Sequence, residues 1–248
     1  QRQMCIRDSG STIFAPGNQW GIFPAASLAW RISEENFMKK SFFTDLKLRI
    51  GIGTSGNNRI ASDLWKNTYQ LATNGVGWGE SMSSYYTYGS NYLPNPSLTW
   101  EKTITKNVGI DFGVLRGKLS GTLEFYVNDT KDLLVPSTVP QSTGYKQQLT
   151  NVGKTRNTGV ELTLNSTLVN SKKFSLNANF NIGINKNKIT ALASGEPTWL
   201  LNSGWGGTGQ VPYYDYRINV GESVGRIYGF VNDGFYTCLL YTSPSPRD

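Results

Sequence analysis

Four carboxylates on the polar sides of alternating segments are the residues of this sequence best suited to chemistry. Two carboxylates that face each other across a substrate can act as general acid and base in glycoside hydrolysis. Carboxylates on strands that line a hydrated interior more often pair with basic neighbours, here Lys47 or Arg49. We therefore expect no catalytic residue and predict that the protein is not an enzyme. The four carboxylates are Glu101, Asp111, Glu124 and Glu161.

Other catalytic and cofactor chemistry has little support in the sequence. Histidine is absent from the 248 residues, and the two cysteines, Cys5 and Cys238, lie near the ends. Zinc sites built on imidazole and Ser-His-Asp hydrolysis are therefore excluded within this chain. The run GIGTSG (51–56) has the spacing of a phosphate-binding glycine loop, but it follows a two-faced strand and precedes a polar segment instead of a helix. We expect no metal and no cofactor.

Aromatic residues are concentrated in two polar stretches, one around residues 78–92 and one around 199–216. The rings of tyrosine and tryptophan present an apolar face and a polar edge, which suits contact with a sugar or with a protein partner. The alternative is that these rings pack against other loops or against a partner protein. The sequence predicts a substrate-binding surface formed by Trp78, Tyr85, Tyr86, Tyr88, Tyr92, Trp199 and Trp205.

Both ends of the chain differ in character from the sequence between them. The stretches QRQMCIRDS (1–9) and CLLYTSPSPRD (238–248) resemble translated sequencing-adapter read-through, so we exclude them from the fold prediction. The expected domain is residues 10–237. Removing both stretches lowers the formal net charge from +7 to +6. No run of lysine and arginine is dense enough to indicate a nucleic-acid site.

The remaining sequence is organised by alternation of apolar and polar residues. In KFSLNANFNIGIN (173–185) every second residue is apolar, with asparagine, serine and glycine between, which predicts a β-strand with one apolar and one polar face. Strands of soluble proteins average about five or six residues, whereas a strand that crosses a bilayer needs about nine to eleven. Several of the six alternating segments reach that length. They are 20–32, 46–53, 104–114, 118–127, 159–169 and 173–185.

The connections between these segments alternate between short and long. Tight turns are predicted at 115–118 and 170–173, and 33–44 is a short link with one helical turn. Short turns at one end of a sheet and long loops at the other are typical of outer-membrane barrels, in which the turns are periplasmic and the loops extracellular. The long, polar connections are 54–98, 129–157 and the sequence from 186 onward.

Tryptophan and lysine positions also bear on whether the apolar faces contact lipid. Trp20, Trp30 and Trp100 lie near predicted strand ends, where interfacial aromatic girdles are found. Lys102 and Lys106 fall on the apolar face of their strand. A charge there costs about 2–4 kcal/mol at the bilayer midplane but about 0–1 kcal/mol near an interface. We therefore place Lys102 close to the outer leaflet and expect Lys106 to extend toward it.

A family resemblance is carried by the segment from Tyr92 to Tyr145. An Asn-Pro-x-Leu-x-Trp-Glu run precedes one strand, Asp-Phe-Gly ends it, and a second strand ends near Lys-Asp-Leu-Leu. In this order the sequence resembles the C-terminal barrel half of SusC/RagA-type TonB-linked outer-membrane transporters, and the similarity extends over nearly all of residues 10–237. The matching residues are Asn95, Pro96, Leu98, Trp100, Glu101, Asp111, Phe112, Gly113, Lys131, Asp132, Leu133 and Leu134.

The resemblance implies an all-β fold, an antiparallel fragment of a 22-stranded outer-membrane barrel with short periplasmic turns and long extracellular loops. It implies active import of oligosaccharides or peptides, with a SusD-like surface lipoprotein covering the outer face. The TonB complex would act through an N-terminal plug and TonB box, which we expect to lie outside this chain.

Two other functions stay open from the sequence. A soluble, lectin-like β-sandwich would use the same loop aromatics and would pack the apolar columns against a second sheet. An outer-membrane barrel enzyme would need the carboxylates for catalysis. Detergent dependence distinguishes the importer from the lectin, and so does the exposure or burial of the apolar columns.

Overall fold

β-Strands make up most of the regular secondary structure. The structure is a computed structural model that describes residues 2–38, 42–71, 76–78, 81–83, 86–171, 173–192, 198–201 and 216–229, with the backbone alone at 76–78, 81–83 and 199–201. The strands are β1 (Arg2–Gly10), β2 (Trp20–Arg31), β3 (Phe43–Asn57), β4 (Tyr69–Leu71), β5 (Val76–Trp78), β6 (Ser81–Ser83), β7 (Tyr86–Tyr88), β8 (Tyr92–Leu93), β9 (Glu101–Val114), β10 (Leu119–Thr138), β11 (Gln147–Asn170), β12 (Ser175–Ala191), β13 (Thr198–Leu201), β14 (Tyr216–Asn219) and β15 (Arg226–Ile227). Single 3-10 turns occur at Ile32–Glu34, Asn36–Met38, Leu115–Gly117 and Gln141–Thr143. Within the described ranges, no helix has the length and apolar character needed to cross a membrane.

One antiparallel sheet contains all of the long strands, in the order β1-β2-β3-β9-β10-β11-β12. Each long strand is hydrogen-bonded to the long strands before and after it in the chain, which is the up-and-down arrangement of barrel staves. The six alternating segments of the sequence correspond to β2, β3, β9, β10, β11 and β12, so the all-β, antiparallel fold class is confirmed. The predicted helical turn after β2 is also confirmed, as two 3-10 turns.

The strand register assembles the apolar columns into continuous rows across the sheet. Ile50 is the partner of Val108, which pairs in turn with Phe125. These side chains lie on an exposed face: Phe125 is 48% exposed and Ile184 is 70% exposed. An apolar surface that extends over several adjacent strands marks a contact with a membrane or with another protein. One complete row is Leu28, Ile50, Val108, Phe125, Val160 and Ile184, and the next is Trp30, Leu48, Ile110, Leu123, Leu162 and Ile182.

Most of the buried hydrophobic residues lie at the loop end of the sheet, whereas Val114 lies at the turn end, and they do not cover the apolar rows. In β2, Phe23 is buried while its neighbour Ile22 is 67% exposed, so Phe23 points to the opposite, polar face. A Cβ added to Gly56 would lie 2.1 Å from the Phe23 ring, so only glycine allows this close approach. We name the buried group the loop-end core, because it joins long connections to strand ends. Its members are Phe14, Phe23, Leu64, Leu98, Trp100 and Leu149.

This arrangement is not that of a β-sandwich. A sandwich buries the apolar columns of each sheet between two sheets about 10 Å apart. Here the apolar rows stay exposed, and the loop-end core is built largely from connecting segments. In the part of the chain that the structure describes, the lectin-like alternative therefore lacks the packed inter-sheet core that it requires.

Two sequence predictions about this end of the sheet are wrong. Trp100 was expected in an interfacial girdle but is buried in the loop-end core, with its ring centroid 5.5 Å from those of Phe14 and Phe23. The reason is that Trp100 precedes β9, and its indole N–H donates to the carbonyl of Gln19 at 3.2 Å. Trp20 and Trp30 are exposed, at 72% and 45%, as a girdle position requires.

The predicted loop 129–157 is instead mostly strand. β10 continues to Thr138 and β11 begins at Gln147, so only residues 139–146 connect them. In these extensions, polar side chains of β10 and β11 also contact each other across the two strands. Arg156 forms an ion pair with Asp129, and the hydroxyls of Ser137 and Thr150 share a hydrogen bond of 3.1 Å. Two register shifts interrupt the pairing between Thr130 and Leu134. Polar composition marked the end of the apolar band and not the end of the strands.

The terminal stretches that the sequence separates from the domain are only partly described. Residues 2–10 form β1 and pair with β2 from Arg2 opposite Leu28 to Gly10 opposite Trp20. Backbone pairing at an open sheet edge places little demand on side-chain identity, so the foreign origin of residues 1–9 stays a prediction. Residues 238–248 lie outside the described residues.

Candidate functional site

The described members of the predicted aromatic surface occupy two different environments. Tyr86 and Tyr88 lie on β7, which pairs with β4, and their side chains are 75% and 45% exposed. Tyr92 lies on β8 and packs half-buried against the loop-end core, and its part in substrate binding stays a prediction. Tyr85 and Trp205 lie outside the described residues, as do the side chains of Trp78 on β5 and Trp199 on β13.

Three tyrosines form a stack that supports the exposed rings. Tyr69 is the cross-strand partner of Tyr88, with ring centroids 5.9 Å apart, and the Tyr145 ring centroid lies 4.6 Å from that of Tyr88. Offset and tilted rings at these distances attract each other. Sequence reasoning missed Tyr69 and Tyr145, because the pairing of β4 with β7 was needed to bring them to Tyr88. We call Tyr69, Tyr88 and Tyr145 the tyrosine stack.

Tyr145 is the buried member of the tyrosine stack. Its side chain is buried, and its hydroxyl donates to Oδ1 of Asn67 at 3.2 Å. Burial raises the pKa of Tyr145, and the phenols of Tyr88 and Tyr69 raise it further. The phenol therefore stays protonated, and able to donate, at neutral pH. Gly144 precedes it with a φ of +79°, which turns the chain so that the ring enters the stack.

We expect Tyr145→Phe to loosen the loop that carries β7. Loss of one hydrogen bond costs about 1 kcal/mol, or roughly fivefold in a local opening equilibrium. Hydrogen exchange of the full-length protein should show this acceleration at Gly89, whose amide donates to the carbonyl of Thr68 at 2.8 Å. Tyr216→Phe, at a tyrosine outside the stack, is the control. Equal exchange at Gly89 in the wild type and Tyr145→Phe would contradict the anchoring role.

The polar face of the sheet carries an arginine network that occupies two of the candidate carboxylates. Arg49 contacts both carboxylate oxygens of Asp111, at 2.9 and 3.0 Å, and lies 3.6 Å from Glu124. A Cβ on Gly109 would lie 2.9 Å from the guanidinium, so glycine leaves the space in which Arg49 lies. Lys47 also reaches Asp111 at 4.0 Å. The expectation that these carboxylates pair with Lys47 or Arg49 is therefore confirmed for Asp111 and Glu124.

The other two carboxylates do not complete a hydrolytic pair. Glu161 is the cross-strand partner of Glu124, but Glu124 is held by Arg49 and accepts from Nδ2 of Asn107 at 3.1 Å. Glu101 lies at the start of β9 and accepts from Asn57 at 3.4 Å. Among the residues that the structure describes, no three acidic, cysteine or histidine side chains are close enough to hold a metal ion.

The residues that carry the family resemblance fasten the connecting segments to the strands. Asn95 donates to the carbonyl of Leu149 at 2.8 Å, and Leu98 is fully buried in the loop-end core. Asn151 bonds both the N–H and the carbonyl of Thr99 at 2.9 Å and also donates to the carbonyl of Asp132. Asn151 therefore joins the Asn-Pro-x-Leu-x-Trp-Glu run to the Lys-Asp-Leu-Leu run, a link that sequence reasoning missed.

Comparisons with known proteins agree with this architecture. Residues 7–242 match the family model described as TonB dependent receptor-like, beta-barrel. The TonB-dependent receptor SusC of Bacteroides thetaiotaomicron is 33% identical over 223 residues, which cover 89% of this chain and 21% of SusC. The TonB-dependent receptor P39 of Formosa agariphila is 33% identical over 232 residues, which cover 93% of this chain and 20% of P39. The chain thus spans about a fifth of the length of these relatives.

Solved structures of a transporter complex are also similar. The RagAB peptide importer in its closed-closed state matches with a TM-score of 0.76 and 25% identity, over 89% of this chain and 23% of that chain. The open-open state matches with a TM-score of 0.74 and 26% identity, over 89% of this chain and 22% of that chain.

Proposed function

This chain belongs to the TonB-dependent receptor-like β-barrel family, and on that premise we propose that it forms part of the wall of an outer-membrane active importer. The observation that carries the proposal is the exposed apolar face on consecutive long strands, backed by a polar face. In a bilayer every backbone polar group must be paired and the outward side chains must be apolar. Both conditions are met when this sheet is continued by further strands.

The two faces of the sheet have separate tasks in this proposal. The rows through Ile50 and Leu48 contact the acyl chains. The opposite face, with asparagine-to-asparagine bonds such as Asn179 to Asn165 and the network around Arg49, faces a hydrated interior and a plug contributed by another part of the protein. The importer moves its substrate without chemical change, consistent with carboxylates that are engaged in hydrogen bonds and ion pairs.

Tyr86 and the exposed members of the tyrosine stack, Tyr69 and Tyr88, form the proposed substrate-contact surface at the extracellular end. Their exposed rings present apolar faces and hydroxyl edges, which suit the faces of sugar rings and the side chains of peptides. Oligosaccharides and peptides are therefore the proposed substrate classes, and RagAB, a structural neighbour, is a peptide importer. A SusD-like lipoprotein above the loops and the TonB complex below the barrel are the proposed partners.

The proposal is tested by deleting the gene for the full-length protein in its host. We expect loss of growth on one class of oligosaccharide or peptide, restored by the wild-type gene and abolished when TonB is absent. The complementing protein should be found in the outer-membrane fraction and should need detergent for extraction. Recovery of the full-length protein in the soluble fraction would contradict the proposal and favour the lectin-like alternative.

Replacing Tyr86 and Tyr88 together by alanine should weaken substrate binding. Each aromatic contact contributes about 0.5–1.5 kcal/mol beyond its buried area, so we expect a loss of about tenfold or more in the affinity of the full-length protein for the substrate found by the growth test. Calorimetry with the purified protein measures this. Tyr92→Phe is the matched control, because the Tyr92 ring packs against the loop-end core. If Tyr92→Phe lowered the affinity more than the Tyr86/Tyr88 double variant, the binding surface would have to lie elsewhere.

A further inference from the structure

Basic side chains gather on the apolar face of the sheet at its loop end. The group consists of six exposed lysine and arginine side chains on strands β9 to β12. They occupy the same alternating positions as the residues of the apolar rows. Asp129 is the acidic residue on that face beside them, and it pairs with Arg156. We name this group the basic belt. Its members are Lys102, Lys106, Lys131, Arg156, Lys186 and Lys188.

The strand register places the basic belt directly beyond the last apolar row. Lys106 is the partner of both Ile52 and Val127, and Lys186 is the partner of Thr158. Adjacent strands are about 4.8 Å apart, so the backbones of Lys106 and Lys186 are separated by about 14 Å across β10 and β11. Further toward the loops, Lys131 pairs directly with Lys102, and Arg156 with Lys188. The belt therefore extends both along the strands and across them, with cations on four adjacent strands.

Like charges on directly paired positions repel each other, so a bound anion would stabilise the belt. Within the described part of the chain, Arg156 is the belt member with an ion pair. Six cations against one carboxylate leave an excess of five positive charges at the margin of an apolar surface. Cations at such a margin attract anionic lipid headgroups, each lysine or arginine contributing roughly fivefold in binding.

An apolar groove runs from the basic belt into the apolar rows. Its volume is about 780 Å³, and its lining is almost entirely apolar. Val108, Phe125 and Val160 line it on neighbouring strands, and Lys106 and Lys186 lie at the end nearest the loops. An apolar groove with cations at one end is complementary to an amphiphile with acyl chains and an anionic headgroup.

The turns and loops fix the side of the membrane on which the basic belt lies. The tight turn at Leu115–Gly117 lies at the opposite end of β9 and β10 from Lys102 and Lys131. Short turns are periplasmic and long loops extracellular in barrels of this kind. The belt therefore lies at the outer leaflet, provided that the chain is the outer-membrane wall proposed above.

We propose that the basic belt and the groove form a binding site for the phosphorylated glycolipid of the outer leaflet. The phosphates contact Lys106 and Lys186, with the remaining cations of the belt around them, and the acyl chains occupy the groove beside Phe125. The site would fix the orientation and depth of the barrel wall in an asymmetric membrane, separately from the loop surface that contacts substrate.

The test uses the full-length protein in detergent, with native mass spectrometry to count bound lipid. The probes are bisphosphorylated lipid A, the same lipid with both phosphates removed, and phosphatidylglycerol. The variant is Lys106→Gln with Lys186→Gln, and the matched control is Lys118→Gln with Lys173→Gln, two exposed lysines at the turn end. We expect tight binding of bisphosphorylated lipid A by the wild type and the control, and about 25-fold weaker binding by the variant.

Three outcomes would overturn the lipid site. They are equal binding by the wild type and the Lys106/Lys186 variant, equal binding of the lipid without phosphates, and equal binding of phosphatidylglycerol. The same preparations are scored for outer-membrane insertion and substrate uptake. A protein that inserts and imports but does not bind the phosphorylated lipid overturns this site alone. A protein absent from the outer membrane overturns the proposed function as well.

Discussion

Replacing Leu98 by alanine is expected to open the loop end of the sheet. The Leu98 side chain is fully buried in the loop-end core, together with Trp100, Phe14 and Leu149. Removing a buried leucine side chain costs about 2–5 kcal/mol, part of it for the cavity that remains. The surrounding segments are connections, which have few other buried contacts, so the loss should appear as local opening of the extracellular end.

Hydrogen exchange of the detergent-solubilised full-length protein measures this opening. The amides of Leu98 and Thr99 are bonded to Asn95 and Asn151, and their exchange should accelerate by about a hundredfold for a loss of about 3 kcal/mol. Leu115→Ala is the matched control, since Leu115 is 53% exposed at the turn end. If Leu98→Ala leaves exchange unchanged, or if Leu115→Ala changes it as much, the loop-end core does not hold these connections.

Replacing Arg49 by methionine is expected to destabilise the barrel wall from its inward face. Methionine keeps much of the side-chain length but removes the guanidinium from Asp111 and Glu124, leaving Lys47 at 4.0 Å as the nearest cation of Asp111. Breaking a fully buried ion pair costs about 3–5 kcal/mol. Arg49 is 33% exposed and its partners 28–29%, so solvent screening reduces the expected loss to about 1–3 kcal/mol.

The Arg49 prediction is checked by thermal unfolding of the full-length protein in detergent, followed by the loss of β-sheet circular dichroism. In the otherwise wild-type protein, Arg49→Met should lower the temperature at the midpoint of unfolding. In a background with Asp111→Asn and Glu124→Gln the same change should cost much less, because no carboxylate is then left without its cation. An equal loss in both backgrounds would show that Arg49 acts through packing and not through its charge.

The two ends of the sheet have different physical roles. At the turn end, Leu115–Gly117 closes a hairpin with left-handed φ values at all three residues. The loop end carries the loop-end core, the tyrosine stack and the basic belt. Residues of the family resemblance such as Leu98 and Asp132 belong to the loop end, where they order connections.

The sequence by itself determined which residues form the long strands and which face of each strand is apolar. A period of two is a local property, because consecutive side chains of an extended backbone point to opposite sides. The alternation in 173–185 therefore identified β12 and its exposed column without knowledge of its neighbours. The order of short and long connections likewise followed from composition, except at 129–157, where polar residues pair across strands.

Tertiary structure alone decided which residues meet. Arg49 and Asp111 are 62 positions apart, and Tyr69 meets Tyr145 through Tyr88 only because β4 pairs with β7. Trp100 is buried because a segment distant in the chain covers it, and the lysines of β9 and β12 share a surface because two strands lie between them. Such contacts depend on the register between strands, since a shift of one residue would reverse every face. Alternation within one strand excludes shifts by an odd number of residues but does not choose among the even ones.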